Sequence, residues 1–176
     1  MKTKINPIDC YAALKTKSSF VTNHCNHLLS NKENIYHHVI GWEVIRFPLI
    51  VALQEPSIQK INTKFPIAKT AILKSQPYQN YTWHTDTHRG VSINLLISTD
   101  VQSYCMFGTP KDESSFYFTE LDYKENTFYL FNTQYLHQVI NFTEPRYLFT
   151  IEFEQDKSDL LYSDIYNWCK EENLLC

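Results

Sequence analysis

Between Phe65 and Glu154 the chain is cut into short apolar segments, and this punctuation limits it to a mainly β architecture. IAKTAILK (67–74), GVSINLLIS (90–98), SSFYFTEL (114–121), NTFYLFN (126–132), HQVINF (137–142) and RYLFTIEFE (146–154) are rich in β-branched and aromatic residues. Short stretches holding Asn, Asp, Gly, Pro or Lys separate them, as turns require. Strands this short and this closely spaced predict a sandwich or barrel. The ends read differently. Phe20, Val21, His24, Leu28 and Leu29 fit one face of a short helix capped by Ser18 or Ser19. VIGWEVIRFPLIVAL (39–53) is an extended segment that Pro48 turns into a short turn or helix. Leu160, Leu161, Ile165, Trp168 and Cys169 predict a helix over 158–172 with Ser158 as its N-cap. The expected organisation is one domain: a mixed buttress over 1–64, a β core over 65–155 and a C-terminal helix over 156–176.

Composition removes several function classes. The net charge of -3 gives no basic footprint for nucleic acid. No apolar run follows Met1 as a signal peptide would, and none is long enough to span a membrane. Five cysteines, odd in number and with no C-x-x-C pair, read as free thiols in a reducing cytoplasm.

The chemistry concentrates in YTWHTDTHRG (81–90). On an extended backbone His84 and Asp86 project to one face while Thr85 points away. His137 stands far along the chain at the start of another strand segment, and Arg146 opens the last long one. Two histidines and one carboxylate can occupy one face of an octahedral metal and leave three positions open. A following arginine supplies a fixed cation that grips a carboxylate in fork geometry. Each residue also has a plainer reading. His84 and Asp86 can cap a turn, His137 can be a core histidine, and Arg146 can pair on the surface with Glu144 or Glu152. His88 is a rival ligand to His84 or part of a solvated loop. His24, His27, His37 and His38 lack the carboxylate or cysteine frame of a zinc site and read as a polar face. Trp83 points away from His84 and reads as core.

His84-Thr85-Asp86, His137 and Arg146, set among short strands, resemble the iron(II)/2-oxoglutarate-dependent dioxygenases over roughly residues 65 to 155. WHTDTHRGVSINLLI and FNTQYLHQVINFTEPRYLFTIEF are also loosely similar to the aspartyl/asparaginyl β-hydroxylase-like branch, although there the carboxylate ligand can be missing and here Asp86 is present. The resemblance implies a double-stranded β-helix (jelly-roll, cupin-like) fold with flanking helices. It implies Fe(II) held by His84, Asp86 and His137, with 2-oxoglutarate and O2 as cosubstrates. It implies Arg146 as the partner of the distal 2-oxoglutarate carboxylate. Many members carry Ser two residues after that arginine, where this chain has Leu148. Tyr78, Tyr129 and Thr150 are the candidate hydroxyls in its place, Tyr78 first. Arg89 is a candidate contact for the metal-chelating end of 2-oxoglutarate or for substrate, and Asn94 for an interior hydrogen bond. The implied activity is hydroxylation of a peptide side chain or small metabolite, recognised by residues 36–64 and 99–115. Two other classes stay open on the residues alone: a cupin-like metalloenzyme without 2-oxoglutarate, and a non-catalytic β-sandwich used for binding.

Overall fold

The computed structural model describes residues 5–17, 19–31, 37–39, 42–98, 101–112 and 115–176. Its N-terminal part contains α1 (Pro7–Cys10), β1 (Tyr11–Lys17), α2 (Ser19–Ser30), β2 (His37–Val39), β3 (Trp42–Phe47), α3 (Leu49–Ala52) and α4 (Pro56–Lys64). The strands β4 (Ile67–Ser75), β5 (Asn80–His84), β6 (Val91–Leu96), β7 (Ser103–Pro110) and β8 (Phe116–Glu120) follow. Then come β9 (Thr127–Asn132), β10 (His137–Asn141), β11 (Arg146–Phe153) and α5 (Tyr162–Glu171).

Segments apolar on both faces belong in the interior of a sheet. VSINLL and TFYLFN are buried almost throughout and pair with each other as β6 and β9. They sit in a seven-stranded sheet of order β1-β9-β6-β11-β4-β3-β2. A four-stranded sheet of order β5-β10-β7-β8 faces it. The two antiparallel sheets with a few helices form the mainly β, double-stranded β-helix architecture. One core lies between the larger sheet and α2, α4 and α5, and contains Val21, Cys25, Ile58, Ile61, Ile165 and Cys169. A smaller one lies between the sheets around Cys105, Phe107, Tyr129, Phe131 and Val139. Burying an aliphatic side chain such as Ile58 or Ile61 contributes about 1.5–3 kcal/mol.

Several elements differ from the expectations. β1, β2 and β3, all within the expected 1–64 buttress, are strands of the larger sheet itself. NYTWH and the segment read as loop over 99–115 supply β5 and β7. In β7, Cys105 and Phe107 are buried while Tyr104 and Met106 are not, a period of two that its Gly and Pro obscure. Pro56 at the first helical turn starts α4, which the sequence reading did not contain. Pro48 does divide an extended segment from a short helix. The C-terminal helix begins at Tyr162, not at 158. Asp164 accepts a hydrogen bond from the Leu161 N–H at 2.9 Å, while the Ser158 N–H donates to Asp156 in a preceding turn. Ser18 lies outside the described residues, and α2 begins at Ser19. The side chains of His37 and His38 also lie outside the described part. No described helix is long and apolar enough to cross a membrane. Cys10, Cys25, Cys105 and Cys169 are buried free thiols, and Cys176 is an exposed one.

Candidate metal centre

β5 and β10 run antiparallel with His84 directly opposite His137. Directly opposed side chains of paired strands are close neighbours, and these two imidazole centroids lie 4.2 Å apart. His84 Nδ1 is 2.7 Å from the Thr82 carbonyl oxygen, and His137 Nδ1 is 2.9 Å from that of Tyr135. A carbonyl oxygen only accepts, so in each neutral ring Nδ1 carries the hydrogen and Nε2 presents a bare lone pair. The two Nε2 atoms lie 3.7 and 3.8 Å from Asp86 Oδ1. The three candidate donor atoms fall within 4.8 Å of one another, and among the described residues this is the one such cluster. Cis donors of an octahedral ion with bonds of about 2.1 Å stand about 3 Å apart, so a small inward movement closes the set on an ion.

Asp86 follows β5 and is held there from three directions. Its N–H donates to the Thr133 carbonyl at 2.9 Å. Its Oδ2 accepts from Arg89 Nε at 2.8 Å and lies 2.6 Å from Nη2, which leaves Oδ1 toward the histidines. Gln134 Nε2 donates to the carbonyls of Asp86 and Arg89, and Thr133 Oγ1 donates to that of Arg89. Gly90 completes the loop where a Cβ would stand 2.1 Å from the Leu160 carbonyl oxygen, a close approach that only glycine permits.

His137 is buried among Phe107 and Phe131, whereas the His84 side chain is 37% exposed. Burial pulls the His137 pKa down to about 4, with repulsion from His84 acting the same way and the bond to Tyr135 opposing it. At neutral pH the ring is therefore the uncharged form that a metal binds.

Arg146 is 1% exposed, so the surface pairing with Glu144 or Glu152 does not occur; Glu152 pairs with Lys69 instead. Among the described residues, Arg146 Nε and Nη1 are buried donors without a hydrogen-bond partner, and Ser92 Oγ is also unpartnered. Both residues line the cavity that holds His84, Asp86 and His137. Tyr123 lines it too, with its ring centroid 5.7 Å from the guanidinium carbon of Arg146. Burial raises the Tyr123 phenol far above its ordinary pKa, so it stays a neutral donor, while hydrogen bonding to Arg146 and Asn94 opposes that shift. Asn94 Oδ1 accepts from Thr150 Oγ1 at 2.7 Å on the same wall. A buried guanidinium is costly unless paired, so these donors fit an anionic group entering beside the candidate ligands. The chemistry of the set, two neutral imidazoles, a carboxylate and a buried cation, suits a divalent metal with an anionic chelate.

Other sequence candidates lie elsewhere. Tyr78 adopts φ 59 in a turn with its side chain 78% exposed, and it does not reach the Arg146 cavity; Tyr123 occupies the place assigned to it. The Tyr129 hydroxyl accepts from the Lys124 N–H. Arg89 reaches the cavity, yet its guanidinium is bound to Asp86. His88 is exposed and outside the cluster. Trp83 stacks on Phe116 over Gly108, away from the candidate ligands. His24 packs edge-on against Phe47 in α2 and joins no ligand cluster among the described residues.

No protein-family model matches the chain, and no curated protein matches it in sequence. Solved structures do match in fold. HygX from Streptomyces hygroscopicus, with nickel and 2-oxoglutarate bound, aligns at TM-score 0.60 and 9% identity over 85% of this chain and 84% of that one. A prolyl hydroxylase in complex with a hypoxia inducible factor peptide fragment, from Trichoplax adhaerens, aligns at 0.58 and 13% over 82% and 83%. An oxidoreductase of the 2OG-Fe(II) oxygenase family from Burkholderia pseudomallei aligns at 0.58 and 9% over 82% and 84%. In fold, this chain is a double-stranded β-helix of the kind found in the 2OG-Fe(II) oxygenase family.

Proposed function

We propose that this chain is an Fe(II)- and 2-oxoglutarate-dependent oxygenase, specifically a hydroxylase of a small molecule or peptide, acting in the cytoplasm. The observation that carries this reading is the buried Arg146, whose Nε and Nη1 have no partner among the described residues and which lines the same cavity as His84, Asp86 and His137. A cupin-like enzyme without 2-oxoglutarate, or a binding sandwich, leaves two nitrogens of that buried guanidinium unsatisfied for no return. The nickel and 2-oxoglutarate in the HygX structure, and the peptide on the prolyl hydroxylase, fit the same assignment. Buried free thiols fit a reducing compartment.

The chain's own residues would act as follows. His84 and His137 offer Nε2, with Thr82 and Tyr135 holding the rings in the required tautomer. Asp86 offers Oδ1 while Arg89 holds Oδ2. Arg146 receives the distal carboxylate of 2-oxoglutarate, and Tyr123 stands beside it as a hydroxyl donor. Phe131, Val139 and Leu148 line the same cavity and exclude water from it. Fe(II) held by His84, Asp86 and His137 would supply the activation of O2, with one 2-oxoglutarate oxidised to succinate and CO2 for each substrate hydroxylated.

Succinate formation tests the reading. Purified protein with Fe(II), 2-oxoglutarate and O2 is expected to form succinate, and Asp86→Ala to form none above the metal-only background. Equal succinate from both proteins would remove the triad from the reaction.

A further inference from the structure

Beside the metal cavity lies a groove of 630 Å³, within the range of small-molecule sites. Trp42, Leu73, Arg89 and Thr150 line both spaces, so the two are contiguous. The groove follows the sheet register. Arg46 stands opposite Ala71, Ala71 opposite Thr150, and Thr150 opposite Asn94, one row across β3, β4, β11 and β6. In the next row Val44 stands opposite Leu73. The small Ala71 leaves room that a larger side chain would fill. Trp42 closes one side by stacking on Tyr81 of the other sheet, with centroids 4.4 Å apart and planes at 17°.

Three cations line this groove and two are neutralised. Arg89 is bound to Asp86, and Lys69 pairs with Glu152 at 3.1 Å. The Arg46 side chain is exposed and has no hydrogen bond or ion pair to a described side chain. Two strand spacings, about 10 Å, separate the Arg46 backbone from that of Thr150 at the metal cavity.

We propose that the groove takes the substrate, a small molecule with an apolar body and a terminal anionic group, carboxylate or phosphate. The anion pairs with Arg46, the body lies along Val44, Ala71 and Leu73 beside Trp42, and the far end reaches the metal cavity. This inference rests on the oxygenase reading only for what happens at that far end. Binding along the row depends on Arg46 alone.

The test titrates metal-free protein with octanoate, octyl phosphate, 1-octanol and octylamine, following Trp42 fluorescence with Trp42→Phe as the signal control. At least one of the two anions is expected to bind about tenfold more tightly than the alcohol or amine. Arg46→Ala is expected to lose about tenfold in affinity for that anion, and Arg46→Lys to keep most of it. The Arg46 side chain is exposed, so both variants are expected to melt with the parent protein. Equal affinity for all four probes, no saturable binding of any, or unchanged anion binding in Arg46→Ala would overturn the inference. The succinate assay separates the two proposals. Succinate formed with anion binding indifferent to Arg46 sinks the groove alone; Arg46-dependent binding without succinate sinks the oxygenase reading and keeps the groove as an anion site.

Discussion

Arg89 grips Asp86 through one carboxylate oxygen, Oδ2, and leaves Oδ1 facing His84 and His137. A metal ligand fixed by an outer hydrogen bond loses about 10–100-fold in affinity when that bond is removed. Arg89→Gln is therefore expected to weaken Fe(II) or Mn(II) binding by about that factor while the protein remains folded, as measured by anaerobic calorimetry. Parent-like affinity would show that the backbone bond from Asp86 to Thr133 orients the carboxylate unaided.

Arg146 carries a prediction of opposite signs for two readouts. With no anion bound, its guanidinium is buried and short of partners, so an apolar replacement relieves the metal-free fold. Arg146→Met is expected to melt at or above the parent temperature without ligand. Adding 2-oxoglutarate with a divalent metal is expected to raise the parent Tm by mass action and to leave the variant at its metal-only value. An equal 2-oxoglutarate shift in both proteins would move the anchor elsewhere.

The pH dependence of the metal-free protein follows from His137. Its folded pKa, about 4, lies below the ordinary histidine value because the ring is buried. Between those values the unfolded chain binds the proton and the folded one does not. Stability is thus complete above about pH 6.5 and is lost as pH falls toward the folded pKa. Lowering the pH from 7 to 5 is expected to cost on the order of 2 kcal/mol from this group. Urea melts of parent and His137→Asn at both pH values measure it; the same pH loss in both would assign the effect to other groups.

Gly90 ties the metal loop to the chain before α5. Its Cβ position collides with the Leu160 carbonyl, which is backbone and cannot swing aside. Gly90→Ala is expected to destabilise by about 1–3 kcal/mol, as overpacking does, and to weaken metal binding through Arg89. A parent-like urea midpoint would show that the 157–160 segment yields freely.

The legible parts of the chain are those where one period dominates. β4, β6, β9 and β11 read from the sequence because both faces, or every second residue, are apolar. β5 does not, since NYTWH carries a candidate ligand and polar side chains on an element only half buried. His84, Asp86 and His137 were legible as a set because the H-x-D spacing and a distal histidine before a strand are local facts. Their convergence depends on β10 pairing with β5, which is not local. Tyr78 is near His84 in sequence, but its left-handed backbone turns it into solvent. Tyr123 lies in ELDYKEN, between strands and without periodicity, so nothing in its surroundings marks it as the buried phenol beside Arg146. Arg89 stands out in the sequence as a candidate, but its bond to Asp86 depends on the loop geometry.

The central claim is that one cavity holds a metal on His84, Asp86 and His137 and 2-oxoglutarate on Arg146. Anaerobic absorption spectroscopy tests it most directly, by adding Fe(II) and then 2-oxoglutarate to the purified protein. The expected result is a visible metal-to-ligand charge-transfer band that appears only with both present, is absent in Asp86→Ala, and needs much more 2-oxoglutarate in Arg146→Met. Bound iron with no band at saturating 2-oxoglutarate would contradict the claim.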